Sequence, residues 1–473
     1  MRRRKPQEII ENVTVLDFAT EGKTIAKIDG QVIFIEGVSA PGDVVDIQVF
    51  KSKSSFKEAR VIKTHVISVM RIEPFCAHFG VCGGCKLQHL PYQKQLELKQ
   101  KQVVDQLTHI GKVPLPVISP IFPSENTDYY RNKLEFTFSN YKWLTNEQIA
   151  SGEDFNRNAL GFHIPKRFDK ILDVDHCYLQ ADPSNKIRLA VKGYALTNNL
   201  VFFDPLKMKG FLRNLIIRNS NLGDLMVIVQ FAEPNQADID GLMQMLGESF
   251  PEITSLQYVV NQKGNDTFLD LEVVCFKGKP YMEEKMHDVT FRIGPKSFFQ
   301  TNSTQALNLY NITLQLADLQ GDELVYDLYT GTGTIANFVA KHCKQVVGVE
   351  YVPEAIEDAK LNSELNNITN TTFLAGDMRK VLTDSFVGEY GKPDVIITDP
   401  PRAGMDKEVV EVLLNAEAQK IVYVSCNPAT QARDIALLSE KYTVEKVIPV
   451  DMFPHTHHVE NVALLRLKGK VNG

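Results

Sequence analysis

Hydrophobic and polar positions change rhythm twice along the chain. Between residues 8 and 63 they form short β-rich runs: Thr24–Ile28, Gln31–Ile35, Val44–Phe50 and Ala59–Thr64. Asp29-Gly30 and Pro41-Gly42 supply turn chemistry between them. About five short strands in so small a span predict a barrel of the oligonucleotide-binding kind. Apolar residues at Leu96, Val103, Val104, Leu107 and Ile110 predict a helix over 91–110, stopped by Gly111 and Pro114. Residues 128–290 are strand-rich (LEFTFS, LMVIVQFA, SLQYVV, FLDLEVVCF), which predicts an α+β region with an antiparallel sheet. From about residue 291 strands and helices alternate. LVYDLY, QVVGVE, TTFLAGD, DVIITD and IVYVSC are each followed by helical or turn sequence. Such alternation predicts βαβ units and a parallel sheet covered on both faces. The tail from Thr443 reads as two long strands with no helix between them, an antiparallel closure of the sheet edge. The expected class is α/β, in three units: 1–66 (barrel), 67–290 (middle α+β unit, whose helix near 91–110 packs on the last unit) and 291–473 (Rossmann-like).

The chain has 473 residues, 44% hydrophobic and 23% charged, which excludes disordered, collagen-like and coiled-coil classes. The longest apolar runs, such as Leu225–Val229, are far shorter than the roughly 18 residues of a membrane helix. MRRRKPQEII has no apolar stretch behind its basic residues and does not read as a secretory signal. Seven cysteines are too few, and odd in number, for a disulfide scaffold. The expectation is a soluble, cytoplasmic, monomeric protein with no membrane partner. Charge is uneven. Residues 301–473 hold 15 Lys/Arg against 23 Asp/Glu, a balance of −8 within a total of −6, so residues 1–300 carry +2. A polyanion would dock on the N-terminal two thirds. The basic segment Lys51–Lys57, with one aromatic, has the makeup of a phosphate-contacting loop.

Tyr329-Thr330-Gly331-Thr332-Gly333-Thr334 lies between a strand and a helix, where glycines permit a tight turn and close ligand approach. Glu350 ends the next strand, 17 residues after Gly333, where a carboxylate can hold both ribose hydroxyls. Asp377 ends the third strand, the usual place for reading adenine. Gly331 to Ala336 also fits the dinucleotide fingerprint, so on its own the turn leaves a nicotinamide-dependent oxidoreductase open. Asp399-Pro400-Pro401-Arg402 follows the fourth strand, and its prolines fix a bend that aims Asp399 into the crevice. Cys426 ends the fifth strand, beside a helix opened by Pro428. That position favours a lowered thiol pKa. Glu460 opens the last strand. Cys76, Cys82 and Cys85, with Gly83-Gly84 among them, have spacing suited to zinc or iron. Cys275 and Cys343 are expected in the core.

Together SFFQTN (297–302), DLYTGTGTIA (327–336), GVE (348–350), DPPRAG (399–404), YVSCNPATQARD (423–434) and HHVE (457–460) resemble the RNA 5-methyluridine (uracil-C5) methyltransferases, and the match covers most of the chain. The small barrel is similar to the TRAM domain of the ribosomal-RNA branch. The resemblance implies a class I methyltransferase sheet and S-adenosylmethionine held by Gln300, Tyr329, Glu350 and Asp399, with Asp377 as a further contact. It implies Cys426 as the nucleophile that adds to uracil C6, and Glu460 as the base. The implied substrate is RNA, ribosomal (23S) first and transfer RNA as the alternative. It also implies a 4Fe–4S cluster on Cys76, Cys82, Cys85 and Cys177. Thr334 departs from the pattern, since some relatives have a cofactor-contacting Asn there.

Overall fold

The computed structural model describes residues 8–469. The first seven residues of the basic N-terminal stretch therefore lie outside the described residues. Six strands form the first unit: β1 (Ile9–Thr14), β2 (Asp17–Phe18), β3 (Thr24–Ile28), β4 (Gln31–Glu36), β5 (Val44–Ser52) and β6 (Phe56–Val66), in the order β1-β5-β6-β4-β3-β2. Alternation puts Val13, Ala26, Ile33, Ile35, Val45, Ile47 and Ala59 inside. The basic loop shrinks to a hairpin tip. Lys51, at the end of β5, and Lys53, in the tip, lie over the Phe56 ring at 5.5 and 5.4 Å.

A loop bearing three cysteines leads to α1 (Tyr92–Gln106), extended by one wide turn to Gly111. Val103 and Leu107 of this segment are buried in the core of the C-terminal sheet. Next in the chain comes the middle unit. Its strands are β7 (Lys133–Ser139), β8 (Ala159–Ile164), β9 (Arg167–Asp173), β10 (Leu212–Asn219), β11 (Leu225–Phe231), β12 (Ser255–Val260) and β13 (Val273–Gly278). Its helices are α2 (Asn146–Ser151), α3 (Ser184–Thr197) and α4 (Gln236–Ser249). The sheet order is β13-β12-β11-β10-β7-β8-β9. The sheet is not wholly antiparallel as expected, because β11 and β12 run parallel. The 14-residue α4 between them supplies the crossover that a parallel pair requires.

The hairpin β14 (Met282–Met286) and β15 (Val289–Ile293) joins the next core, followed by α5 (Ser303–Ala317). Then come β16 (Leu324–Leu328), α6 (Thr334–Val339), β17 (Gln345–Glu350), α7 (Pro353–Leu365), β18 (Thr371–Ala375), α8 (Met378–Val381), α9 (Asp384–Tyr390), β19 (Val395–Thr398), α10 (Lys407–Ala416), β20 (Lys420–Ser425), α11 (Pro428–Leu438), β21 (Tyr442–Val450) and β22 (Glu460–Leu467). The sheet order is β18-β17-β16-β19-β20-β22-β21. The antiparallel strand β22 lies one place inside the edge, with β21 outside it. Burial on both faces explains the near-continuous apolar runs of β16, β17, β19 and β20, whereas the edge strand β18 buries Phe373 alone. Among the described residues no helix is long and apolar enough to cross a membrane.

Candidate active site

Parallel pairing brings the carboxyl ends of β16, β17, β19 and β20 to one edge, the place where open α/β sheets bind ligands. At the tip of β16 the chain turns through Tyr329 (φ 63°), Gly331 (φ 54°) and Gly333 (φ 71°) into α6. Gly333 is required twice over: its φ is left-handed, and a Cβ there would meet the Ala359 Cβ at 2.8 Å. Glu350, at the end of β17, accepts the Gly331 N–H at 3.1 Å and the Val352 N–H at 3.0 Å, which holds its carboxylate against the turn.

Asp327, which the sequence reading passed over, is buried beneath that turn. One of its oxygens accepts the Thr330 hydroxyl and, at 3.0 Å, the Ala336 N–H. The other, Oδ1, has no partner, and burial pushes the carboxyl up to about 7. An acid at the strand end, four residues before Gly331, was the available signal. Asp377 caps α8 and is bound through both carboxylate oxygens to Arg379, which holds its pKa down.

The Asp399-Pro-Pro-Arg402 bend and the segment after β20 interlock. The Arg402 carbonyl accepts Asn427 Nδ2 at 3.0 Å and the Thr430 hydroxyl at 3.2 Å. Arg433 reaches the carbonyls of Ala403 and Met405, each at 3.0 Å. Asn427 caps α11 through the Ala429 N–H at 3.2 Å. Asp399, beside Tyr329 at the strand tips, is pushed up to about 7 by burial and by Asp327.

Antiparallel register brings Cys426 and Glu460 together. Ser425 pairs with Asn461, so one step further along each strand puts Cys426 opposite Glu460. Glu460 is 5% exposed rather than solvated at an edge. Burial and then Asp399 push it up to about 8, against the opposing pull of Arg402. The expected lowering of the Cys426 thiol is not found. Burial, then the negative neighbours Glu460 and Asp399, push it up to about 11, outweighing Arg402. A helix terminus acts as about half a charge, too little against desolvation and two carboxyls. His458 is pushed down to about 3 by burial, its neighbour His457 and nearby cations, so it stays neutral. Gln300 lies in the loop before α5, anchored by Asn132 Nδ2, which donates to its carbonyl at 2.9 Å.

The four cysteines expected to act together lie around one space. Cys76, Cys82, Cys85 and Cys177 line one cavity of about 350 Å³. The Gly84 N–H points to the Cys82 sulfur at 3.4 Å. The side chain of Asn185 brackets Cys177, accepting its N–H at 2.8 Å and donating to its carbonyl at 3.0 Å. Burial pushes the Cys85 and Cys177 thiols up to about 12 and about 11. Among the described residues no three His, Cys, Asp or Glu side chains are drawn together as a site for a single metal ion. Cys343 is buried as expected, whereas Cys275 is exposed on the edge strand β13.

Residues 274–468 match the tRNA (uracil-5-)-methyltransferase family and residues 9–62 match the TRAM domain. A Bacteroides thetaiotaomicron protein described as an RNA methyltransferase is 57% identical, over 95% of this chain and 100% of its own. The chain belongs to the RNA 5-methyluridine methyltransferase family. A Porphyromonas gingivalis RNA methyltransferase is 52% identical over 95% of this chain and 98% of its own. Among solved structures, the Pyrococcus abyssi tRNA (uracil-54, C5)-methyltransferase in complex with S-adenosyl-L-homocysteine is 29% identical. It covers 96% of this chain and 100% of its own, with a TM-score of 0.74. The protein is thus an S-adenosylmethionine-dependent RNA methyltransferase of the uracil-5 class, with a TRAM domain. The nicotinamide reading of the glycine turn is set aside.

Proposed function

We propose that this methyltransferase modifies C5 of a uridine in 23S ribosomal RNA through a covalent adduct between Cys426 and uracil C6. The observation that carries the covalent mechanism is the register that faces Cys426 with Glu460 beside Asp399. Gln300, Tyr329, Glu350 and Asp399 would hold S-adenosylmethionine, with Asp377 a further contact. The residues fit it: Glu350 is fixed against a left-handed glycine turn, and Asp327 beneath keeps a buried oxygen without partner. Bound there, the sulfonium supplies an electrophilic methyl group to C5. C5 of uracil is a weak nucleophile, and addition of the Cys426 sulfur to C6 loads it with electron density. Glu460 then takes the C5 proton, and the thiolate leaves. The uridine has to be unstacked for C6 to be reached. The barrel, with Lys51 and Lys53 over Phe56, suits phosphate and stacking contacts.

A transfer-RNA substrate is the second reading, favoured by the likeness to the Pyrococcus enzyme. That likeness spans 96% of the chain, so possession of the barrel does not distinguish the two substrates. Mass-spectrometric mapping of 5-methyluridine in ribosomal and transfer RNA from a deletion strain decides. Loss from 23S RNA supports the first reading, and loss from transfer RNA alone overturns it.

The pH dependence has a fixed sign. Cys426 and Glu460 face each other and titrate as a coupled pair. Both gain their reactive, deprotonated forms as pH rises. Methylation rates should therefore climb through about 8, the value to which Glu460 is raised, with no falling limb from either group. A rate that is flat from about pH 6 to 9 would remove Glu460 as base.

We further propose that Cys76, Cys82, Cys85 and Cys177 hold a 4Fe–4S cluster with a structural or RNA-binding role, since methyl transfer itself uses no metal. Four thiols lining one cavity suit such a group in donor chemistry and number. Anaerobically purified protein should be brown, with iron and sulfide of about four each per chain. Cys177→Ser should lose most of that absorbance. Stoichiometric zinc without iron would replace the cluster with a zinc site.

A further inference from the structure

The loop from Asp451 to Val459 connects β21 to Glu460, the first residue of β22. From Asp451 to His455 each successive carbonyl is taken by a group outside the loop. Gln305 donates to Asp451 O at 2.8 Å, and Asn302 to Met452 O at 2.9 Å. Lys99 donates to Phe453 O at 3.0 Å, and the Tyr130 hydroxyl to Pro454 O at 2.9 Å. The amides of Lys86 and Leu87, directly after Cys85, both donate to His455 O at 2.7 and 2.9 Å. The Asp451 carboxylate also accepts from Lys99 at 2.5 Å and from Tyr92 at 2.8 Å.

His455 is where the grips meet. It is a non-glycine residue at φ 65°, a conformation that persists only where the surroundings over-determine it. Gln95 of α1, fully buried, supplies that determination. Its carbonyl oxygen accepts the His455 N–H at 2.8 Å, and its amide nitrogen donates to the ring Nδ1 at 3.1 Å. A buried Lys–Asp pair and a buried amide are poor means of adding stability, since apolar side chains of the same volume often do as well or better. What they give is one fixed geometry. It is delivered five residues before Glu460, whose carboxylate must face a ring already bonded to Cys426.

We propose that Gln95 is a positioning residue for Glu460, fixing the loop through His455 so that proton removal from C5 keeps pace with methyl transfer. The inference rests on the assignment of Glu460 as base. It separates two steps that a general loss of structure would slow together.

The test is single-turnover methylation by full-length Gln95→Met with methyl-labelled S-adenosylmethionine, following methyl transfer and decay of the denaturation-resistant RNA–protein adduct separately. Gln95→Met should transfer methyl within about threefold of wild type but resolve the adduct about tenfold or more slowly, as expected of a base displaced by a fraction of an ångström. Equal slowing of both steps, or unchanged resolution, overturns the proposal. Glu460→Gln run alongside keeps the two readings apart. If it accumulates adduct and Gln95→Met does not, the positioning role alone fails. If neither does, the base assignment fails and takes this inference with it. Hydrogen exchange on the unaltered protein covers a variant that does not fold. The His455 amide should exchange as slowly as the core of β22. Exchange at the rate of an exposed loop overturns the proposal.

Discussion

Cys426→Ala is expected to abolish methyl transfer to RNA, to below about a thousandth of the wild-type rate, while RNA affinity stays within about a factor of three. The loss is large because alanine removes the one group that activates C5, and no second thiol lies in the crevice: among the described residues Cys343 is buried and Cys275 lies on β13. Affinity survives because it comes from phosphate and stacking contacts spread over the chain. The thiol is half-buried, and the carbonyls of Arg402 and Ala403 are held by Asn427, Thr430 and Arg433, so the deletion of one sulfur leaves the Asp399–Arg402 bend intact. Filter binding together with transfer of labelled methyl checks both halves. Residual transfer well above background would remove Cys426 as nucleophile.

Glu460→Gln should trap the reaction after the methyl group has moved. Glutamine keeps the shape of the side chain but cannot accept the C5 proton, and loss of a general base costs about 10²–10⁴ in rate. Addition of Cys426 to C6 does not need Glu460 as a base. It should be eased by the substitution, because Glu460 is the second-largest cause of the raised thiol pKa, after burial itself. The expected result is an RNA–protein adduct that survives denaturing electrophoresis, carries the transferred label, and requires both S-adenosylmethionine and Cys426. Normal turnover, or loss of activity with no labelled adduct, would exclude Glu460. His458, which is neutral, would then be the next group to test.

The chain's own pattern determined the order of elements in the last unit, because a parallel sheet buried on both faces demands near-continuous apolar runs, and those of β16, β17, β19 and β20 are legible at a glance. It also determined that Asp399 and Cys426 stand at strand ends, since turn and cap residues such as Pro400, Pro401 and Pro428 punctuate the sequence next to them. The direction of pairing was another matter. That β12 runs parallel to β11, and that β22 inserts between β20 and β21, depends on long-range registers that no local spacing encodes. The electrostatics of the site were decided the same way. A helix start beside Cys426 predicts a lowered thiol pKa, but two carboxyls contributed by β19 and β22, and burial among them, reverse the sign. The roles of Asp327, marked only by its place at a strand end, and of Gln95 depend on folding for a related reason. One is defined by an oxygen left without partner beneath a turn, the other by hydrogen bonds to a residue 360 positions away. Sequence reports which groups are present and where the chain bends. Desolvation and cross-strand register, which set what those groups can do, exist only once the chain has folded.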